Sequence, residues 1–310
     1  MSTPTKRIAF HTMGCKLNFS ESSTISRDIN GQGFEQVAYQ SEADIYVINT
    51  CSVTENADKE ARKLIRQAKR RNPNSSIVVI GCYAQLKPNE IAAMDGVDIV
   101  LGTEEKFNLI NHINNIDLDG GMKIIQSDID HIHSFVPSYS SGERTRSFLK
   151  IQDGCDYICS FCTIPLARGR SRNNTIESTM KMAQEVAGTN TREIVLTGVN
   201  IGDFGKGSKE TFFDLMIELN KLEGIDRIRI SSIEPNLLTD QIIGYCAKSK
   251  KFMPHFHLPL QSGSNKILRK MKRRYRKENY EARVKKIKSN IPDACVGADV
   301  IVGFPGETED

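Results

Sequence analysis

Three thiols crowd into the eight residues Cys155-Asp-Tyr-Ile-Cys159-Ser-Phe-Cys162, just after an apolar strand-like run (Ser147–Ile151) and a turn at Asp153-Gly154. Thiolates are soft ligands that favour iron–sulfur clusters, zinc or copper(I) over hard cations. A cubic iron cluster ligated by cysteine alone takes four thiolates, and no further cysteine lies between Cys162 and Cys246. Three ligands leave one iron open to a small molecule, by the same logic that marks an open coordination position as catalytic. A zinc knuckle, or a group of buried apolar cysteines, is the competing reading of this spacing. Zinc would want a fourth Cys or His nearby.

Residues 1 to about 115 alternate strand-like and helix-like segments. The strands are expected at Ile8–Thr12, Asp44–Asn49, Ser76–Ile80 and Val97–Leu101, and the helices at Ser20–Gly31, Glu55–Arg71, from Pro88, and at Glu104–Ile113. Such alternation predicts an open parallel α/β sheet. Cys15, Cys51 and Cys82 each fall just past the carboxyl end of one of the first three strands. Ligands of open parallel sheets bind at that edge, so three thiols far apart in sequence could meet there. The alternative is that they are small apolar residues, since free Cys is often buried. Gly14 and Gly81 precede two of them, which suits close backbone approach or positive φ.

A second βα series starts at Thr145, with strands expected at Ser147–Ile151, Glu193–Leu196, Arg227–Ile230, Phe256–Leu258 and Ala298–Val302. Helices are expected at Ile176–Ala187, Glu210–Leu222, Thr239–Lys248, Asn265–Met271 and Glu278–Ser289. Five such repeats suggest a partial barrel with chemistry at the strands' carboxyl ends. The turn-rich stretch between the halves gives three parts: a first domain at 1–115, a linker at 116–146, and a second domain at 147–310 that is incomplete at its carboxyl end. His131 and His133 read as solvated linker residues. Cys246 and Cys295 read as core thiols, and His255 and His257 as packing residues.

The string from Gln152 to Arg172 (Gln-Asp-Gly-Cys-Asp-Tyr-Ile-Cys-Ser-Phe-Cys-Thr-Ile-Pro-Leu-Ala-Arg-Gly-Arg-Ser-Arg) resembles the cluster loop of the radical S-adenosylmethionine (SAM) enzymes, and among them the methylthiotransferases. Thr12–Asn18, Asn49–Thr54 and Gly81–Gln85 resemble the three cysteine motifs of that family's amino-terminal domain. The resemblance implies two 4Fe-4S clusters. Cys155, Cys159 and Cys162 would hold one, whose open iron binds the amino and carboxylate groups of SAM. Cys15, Cys51 and Cys82 would hold the other, where the sulfur to be transferred is attached. Phe161, the aromatic before the last cysteine, belongs to the SAM site by the same resemblance. So do Gly198 and Asn200 in Leu196–Gly202, and Ser231 and Glu234 in Ser231–Pro235. The family fold is a six-stranded partial barrel followed by an RNA-binding TRAM module, so a last βα unit and that module are expected to be missing here.

The implied reaction uses SAM twice. An electron reaching SAM through the Cys155/Cys159/Cys162 cluster, from an external donor, would yield a 5′-deoxyadenosyl radical that removes hydrogen from an unactivated carbon; sulfur held at the Cys15/Cys51/Cys82 cluster, drawn from an external source, would fill the vacancy, and a second SAM would methylate it. Cofactors carry such chemistry, and no side chain is nominated as general acid or base. Gly-Cys-Lys-Leu-Asn, Gly-Cys-Tyr-Ala-Gln and Leu-Thr-Gly-Val-Asn-Ile-Gly look most like the branch that places methylthio on carbon 2 of N6-threonylcarbamoyladenosine beside the tRNA anticodon. Other branches modify isopentenyladenosine in tRNA or an aspartate of a ribosomal protein. Two readings from other classes stay open: a non-catalytic iron–sulfur electron carrier, and a zinc-stabilised RNA-binding protein.

The formal charge of +4 is small, but it is concentrated. Lys59–Arg71 holds seven Lys/Arg against one acid, and Lys266–Lys277 holds eight and no acid. A solvated helix face explains one such cluster. Two suggest phosphate-backbone contacts, with Lys63, Arg66, Arg70, Arg269, Lys270, Arg273 and Arg274 as the candidates for tRNA. The amino-terminal residues lack the apolar core of a signal peptide, and no run approaches the ~18 apolar residues of a membrane span. Eight cysteines without an export signal point to metal or redox chemistry in a reducing compartment. The expected location is the cytoplasm, with no membrane partner.

Overall fold

The computed structural model describes residues 5–51, 55–115, 121–142 and 145–309. Residues 52–54 of the second cysteine segment, and residues 117–120 of the turn-rich stretch between the halves, lie outside the described residues. The chain forms two compact units. One is Met1–Ser140 with Leu166–Gly169, and the other is Ser141–Pro165 with Arg170–Asp310.

The first unit is built on one parallel sheet. Its strands are β1 (Lys6–Thr12), β2 (Phe34–Val37), β3 (Ile45–Thr50), β4 (Ser76–Gly81), β5 (Ile99–Leu101) and β6 (Lys123–Ile125), in the order β2-β1-β3-β4-β5-β6. The helices are α1 (Lys16–Ile29), α2 (Glu55–Arg71), α3 (Cys82–Leu86), α4 (Pro88–Ala92) and α5 (Leu109–Asn114). Neighbouring residues of β3 and β4 feed opposite faces. Tyr46, Ile48, Ile77 and Val79 pack with Ala61, Leu64, Ile65 and Ala68 of α2. Ile45, Val47, Val78 and Ile80 pack with Ile25 and Ile29 of α1. Burial on both faces is why these strands read as unbroken apolar runs, and each fully buried Ile or Val contributes about 1.5–3 kcal/mol. A two-residue strand, β7 (Ser138–Tyr139), lies beside α1, where the Arg27 guanidinium covers the Tyr139 ring at 3.9 Å.

Two strands of this sheet depart from the sequence reading. β2 (Phe-Glu-Gln-Val) and β6 (Lys-Ile-Ile) are edge strands, short and only partly buried, so neither carries the apolar run that marks an inner strand. β6 falls inside the segment read as linker. The first helix starts at Lys16 rather than Ser20, with Cys15 in its N-cap position.

The second unit carries β8 (Arg146–Lys150), β9 (Glu193–Thr197) and β10 (Arg227–Ile230), parallel and adjacent in chain order. β11 (His255–His257) pairs in parallel with β12 (Cys295–Gly297). Single parallel bridges Ile228–Phe252 and Ser232–His257 join β10 and its flank to the β11 segment, so five strands follow one another as in a β/α barrel. Between them lie α7 (Ile176–Ala187), α8 (Phe212–Lys221), α9 (Asp240–Lys248), α10 (Asn265–Lys270) and α11 (Lys277–Asn290). The short α6 (Ile164–Arg168) precedes this set. Thr175, Thr211 and Thr239 cap α7, α8 and α9 through their hydroxyls, each such cap being worth about 1 kcal/mol.

The fifth strand is the main correction. It was expected at Ala298–Val302 and lies at Cys295–Gly297. Val300 makes only an isolated bridge to Gln261, and Val302 is 84% exposed, so the apolar residues that suggested a strand have no layer to bury against. Cys295 is exposed rather than a core thiol, whereas Cys246 is buried. Among the described residues, no helix is long and apolar enough to cross a membrane.

Candidate functional site

In the first unit, the strand order turns back at β1, which lies between β2 and β3. The carboxyl ends of β1 and β3 then form the switch point at which open sheets bind ligands. Cys15 follows β1, Cys51 follows β3 by one residue, and Cys82 opens α3 directly after β4. Since β1, β3 and β4 are adjacent, the fold delivers the three thiols to one sheet edge.

Two glycines show how tightly that edge is drawn. A Cβ on Gly14, at φ +86°, would lie 2.6 Å from Cys51 Cβ and 2.9 Å from its Sγ. A Cβ on Gly81, at φ +100°, would lie 2.5 Å from both Asn49 Oδ1 and the Thr50 carbonyl. Any side chain there would force the cysteine loops apart. Asn18, to which the sequence reading gave no role, ties two of the loops. Its Nδ2 donates to the Met13 carbonyl at 3.0 Å and to the Thr50 carbonyl at 3.1 Å. Thr50 Oγ1 donates to the Ile80 carbonyl at 2.6 Å, which adds the loop of Cys82. Cys51 and Cys82 are buried and Cys15 is exposed, so the edge opens on the side of Cys15.

The second trio is local. Cys155, Cys159 and Cys162 sit on the loop after β8. Cys162 N–H donates to the Cys159 carbonyl at 3.1 Å, and Tyr157 N–H donates to Cys155 Sγ at 3.4 Å. Burial pushes the Cys155 thiol up to about 12, against the Tyr157 N–H, and the neighbouring Asp203, Cys162 and Cys159 push the same way. Burial also raises the Cys162 thiol, with Cys159 adding to it. Thiols bind a metal as thiolates, so a bound cation would offset the cost of ionising Cys155 and Cys162 there. Among the described residues, no three His, Cys, Asp or Glu converge on a point that one metal ion could fill. Ligands at separate corners of an iron–sulfur cube stand wider apart than ligands of a single ion. The donor chemistry of both trios, and the glycine cradle of the first, fit such a group.

Of the residues expected at the SAM site, Gly198 and Asn200 follow the carboxyl end of β9, Ser231 and Glu234 that of β10, and Phe161 lies on the loop after β8. A Cβ on Gly198 would lie 2.8 Å from Ile201 Cγ2 and 2.9 Å from Gln152 Oε1. Asn200 is buried; its N–H donates to Gln152 Oε1 at 2.8 Å and its Nδ2 to Asp203 Oδ2 at 3.0 Å. Asn200 Oδ1 is buried without a hydrogen-bond partner among the described residues. A buried acceptor of that kind calls for a donor, and an ammonium group is one. Ser231 is buried, and Phe161 is 36% exposed at the loop surface. Glu234 pairs with Arg273; burial raises its carboxyl, and the Arg273 guanidinium opposes that rise.

Gln152 is the residue the sequence reading passed over. Fully buried, it donates through Nε2 to the Asp153 and Gly154 carbonyls at 2.9 and 2.7 Å and to Ser171 Oγ at 3.0 Å. With Asn200 on its oxygen, it ties the start of the cysteine loop to the β9 loop. A glutamine directly after an apolar strand was the available signal.

The basic candidates divide. Lys63, Arg66 and Arg70 are exposed on α2, and none of the three is in an ion pair among the described residues. Arg66 and Arg70 line a groove of about 920 Å³ together with Arg62, Lys69, Glu90 and Asp95. Arg269 and Lys270 are exposed on α10. Arg273, expected to face RNA, is turned inward instead. Its side chain is 5% exposed, it pairs with Glu234, and Nη1 donates to Cys159 Sγ at 3.2 Å. A guanidinium that satisfies a buried carboxylate and a cysteine sulfur is not available to a phosphate. Arg274 lies over the Tyr157 ring at 3.9 Å and donates to the Asp156 carbonyl at 3.0 Å.

Comparison with known proteins covers both units. A family model described as "Uncharacterized protein family UPF0004" matches residues 7–102, and one described as "Radical SAM superfamily" matches residues 149–310. The chain is 43% identical over 310 residues to "Threonylcarbamoyladenosine tRNA methylthiotransferase MtaB" of Bacillus subtilis (strain 168), covering 98% of this chain and 68% of that protein. It is 34% identical over 314 residues to "tRNA-2-methylthio-N(6)-dimethylallyladenosine synthase" of Clostridium botulinum (strain Eklund 17B / Type B), covering 98% and 69%. Among solved structures, the radical SAM methyltransferase TsrM from Kitasatospora setae, with tryptophan substrate and a SAM analog bound, aligns with a TM-score of 0.70 at 13% identity. That alignment covers 98% of this chain and 69% of that one, and at such identity it speaks for the fold alone.

Proposed function

The chain belongs to the radical SAM methylthiotransferase family, and we propose that it adds a methylthio group to carbon 2 of N6-threonylcarbamoyladenosine next to the tRNA anticodon. The observation that carries this reading is two separate thiol trios in one chain, each at the carboxyl ends of parallel strands. Family membership replaces the electron-carrier and zinc-protein readings that residue spacing leaves open. Identity to the threonylcarbamoyladenosine enzyme exceeds that to the dimethylallyladenosine enzyme, which favours the former substrate.

Cys155, Cys159 and Cys162 would hold the 4Fe-4S cluster that binds SAM, and Cys15, Cys51 and Cys82 a second cluster. When bound, these groups supply hydrogen abstraction from an unactivated carbon, the sulfur and its methyl. The chain's own residues orient and enclose. Asn200 Oδ1 would offer its acceptor to the SAM ammonium, Gly198 lets the β9 loop approach Gln152 and Ile201, and Ser231 would line the β10 side. Phe161, 36% exposed on the cysteine loop, would border the SAM site. Glu234 acts here as the partner that holds Arg273 against Cys159. Lys63, Arg66 and Arg70 on α2, with Arg269 and Lys270 on α10, give affinity for the tRNA backbone without choosing a sequence. An external electron donor and a sulfur source would complete the reaction, and the cysteine usage is in keeping with a cytoplasmic location.

The test is mass spectrometry of tRNA nucleosides from cells lacking the gene. The methylthio form of threonylcarbamoyladenosine should vanish while that of isopentenyladenosine persists, and the gene should restore it. Persistence of the first, or loss of the second, would overturn the substrate assignment.

A further inference from the structure

Of the eight Lys/Arg in Lys266–Lys277, seven are exposed and Arg273 is drawn in. The backbone does the turning. After α10, Lys272 takes φ +58°, its N–H donates to the Arg269 carbonyl at 3.0 Å, and the Arg273 N–H donates to the Leu268 carbonyl at 2.9 Å. This is the left-handed helix end that glycine ordinarily occupies, and a lysine there is strained. The same turn is docked on the cysteine loop of its own unit. Ser160 N–H donates to the Met271 carbonyl at 3.2 Å, and Ser160 Oγ donates to the Lys270 carbonyl at 2.9 Å.

The Arg273 side chain, 5% exposed, then spans two partners. Nη1 donates to Cys159 Sγ at 3.2 Å, and Nη2 donates to the Glu234 carboxylate. The Tyr275 ring lies 5.0 Å from the guanidinium. Nε is buried with no hydrogen-bond partner among the described residues. A buried donor calls for an acceptor, and the planar group that carries Nε already touches a sulfur of the trio. The charges of Arg273 and Glu234 cancel, so what Cys159 meets is less a net charge than an N–H donor held in a fixed direction. Hydrogen bonds to the sulfurs are among the terms that set the reduction potential of an iron–sulfur cluster. A donor on a thiolate sulfur draws off electron density and so favours the state that holds the added electron.

We propose that Arg273 sets the reduction potential of the cluster held by Cys155, Cys159 and Cys162 through its N–H···S bond to Cys159, and that Glu234 and the left-handed turn at Lys272 fix its aim. Arg273 is a positioning residue that acts through Cys159, and the inference rests on the reading that this trio holds a cluster. A side chain that only packed there would change how stably the loop folds without moving the potential.

The experiment uses the full chain with Cys15, Cys51 and Cys82 replaced by alanine, so that only the second trio can be loaded, reconstituted anaerobically with iron and sulfide and studied without SAM. In this parent, the iron–thiolate stretching bands of the resonance Raman spectrum should shift on exchange into D₂O. Arg273→Met should remove part of that shift, leaving what the Tyr157 N–H contributes at Cys155. The same variant should lower the reduced-to-oxidised ratio about tenfold at a fixed applied potential, a shift of 59 mV for one electron. Glu234→Gln keeps an acceptor for Nη2 and loses the negative charge, so the isotope shift should stay and the ratio should rise. Should Arg273→Met not fold, Arg273→Lys keeps the charge without the planar fork and should lose the same part of the isotope shift. Parent bands that ignore D₂O, an isotope shift that survives the loss of Arg273, an unchanged ratio in Arg273→Met, or a ratio in Glu234→Gln that does not rise would overturn the proposal. A parent protein that takes up no iron and sulfide would overturn the cluster reading beneath it, and that result is seen before any variant is made.

Discussion

The two trios solve one problem in opposite ways. Cys155, Cys159 and Cys162 lie on a single loop, held by its own backbone and by Arg273. Cys15, Cys51 and Cys82 come from three loops and share one sheet edge only because β1, β3 and β4 are adjacent in a folded sheet. A local site loses little chain entropy on closing, while a distributed one depends on loop closures already made by the fold. The first trio should therefore be hostage to the stability of its unit, and the second to the chemistry of one loop.

The sharpest test of that contrast removes one ligand at a time. Cys159→Ser and Cys51→Ser should each abolish product and each lower the iron and sulfide content of the reconstituted chain by about half, the cluster chemistry being cysteine-bound. A single replacement that emptied both sites would break the comparison. Next comes Gly14→Val. Its φ of +86° and the 2.6 Å approach to Cys51 Cβ should destabilise the first unit by about 1–3 kcal/mol and empty that trio alone, as read by urea unfolding beside iron analysis. Smaller is the effect of Arg66→Glu with Arg70→Glu, which should weaken tRNA binding and flatten its salt dependence by about two in the log–log slope. Titration of affinity against salt checks it, and the local trio should keep its iron.

The mildest test compares the units by pH. Burial pushes the Tyr39 phenol of the first unit up to about 12, and burial does the same for Tyr275 of the second. Each folded unit thus holds its phenolic proton more tightly than the unfolded chain, whose value is 10.0. The stabilisation is whole below pH 10 and is lost as the pH climbs to about 12. Tyr39→Phe should cost about 1 kcal/mol at neutral pH for the lost bond to the Leu64 carbonyl and blunt the alkaline loss in the first unit only. Melting curves from pH 9 to about 12 would show it.

Much of this was legible in the chain. The inner strands announce themselves because both faces of β3 and β4 are buried, and strand ends fix where cysteines can meet. Edge strands β2 and β6 were hidden because half-exposed residues carry no run. The strand read at Ala298–Val302 failed because an apolar sequence says nothing about whether a layer exists to receive it. Arg273 was read with its basic neighbours, since composition cannot tell which of several cations turns inward. The buried group in which Lys106 and Arg168 both donate to Glu21 was invisible for a deeper reason: the pairs are 85 and 147 residues apart in the chain, and each residue alone looks like an ordinary solvated charge. Even α1 misleads, because its inner side buries Asn18, Ser20, Glu21 and Ser22, where a hydrophobic stripe would be expected.

One segment has a consequence for how such a protein can be taken apart. Leu166–Gly169 belongs to the first unit, yet the residues on either side of it belong to the second. No single cut in the chain yields two whole pieces. An isolated amino-terminal half would surrender the Arg168 guanidinium on Glu21 and the Ala167 carbonyl that Thr103 grips, so any exchange of halves between enzymes would have to carry Leu166–Gly169 along with the first.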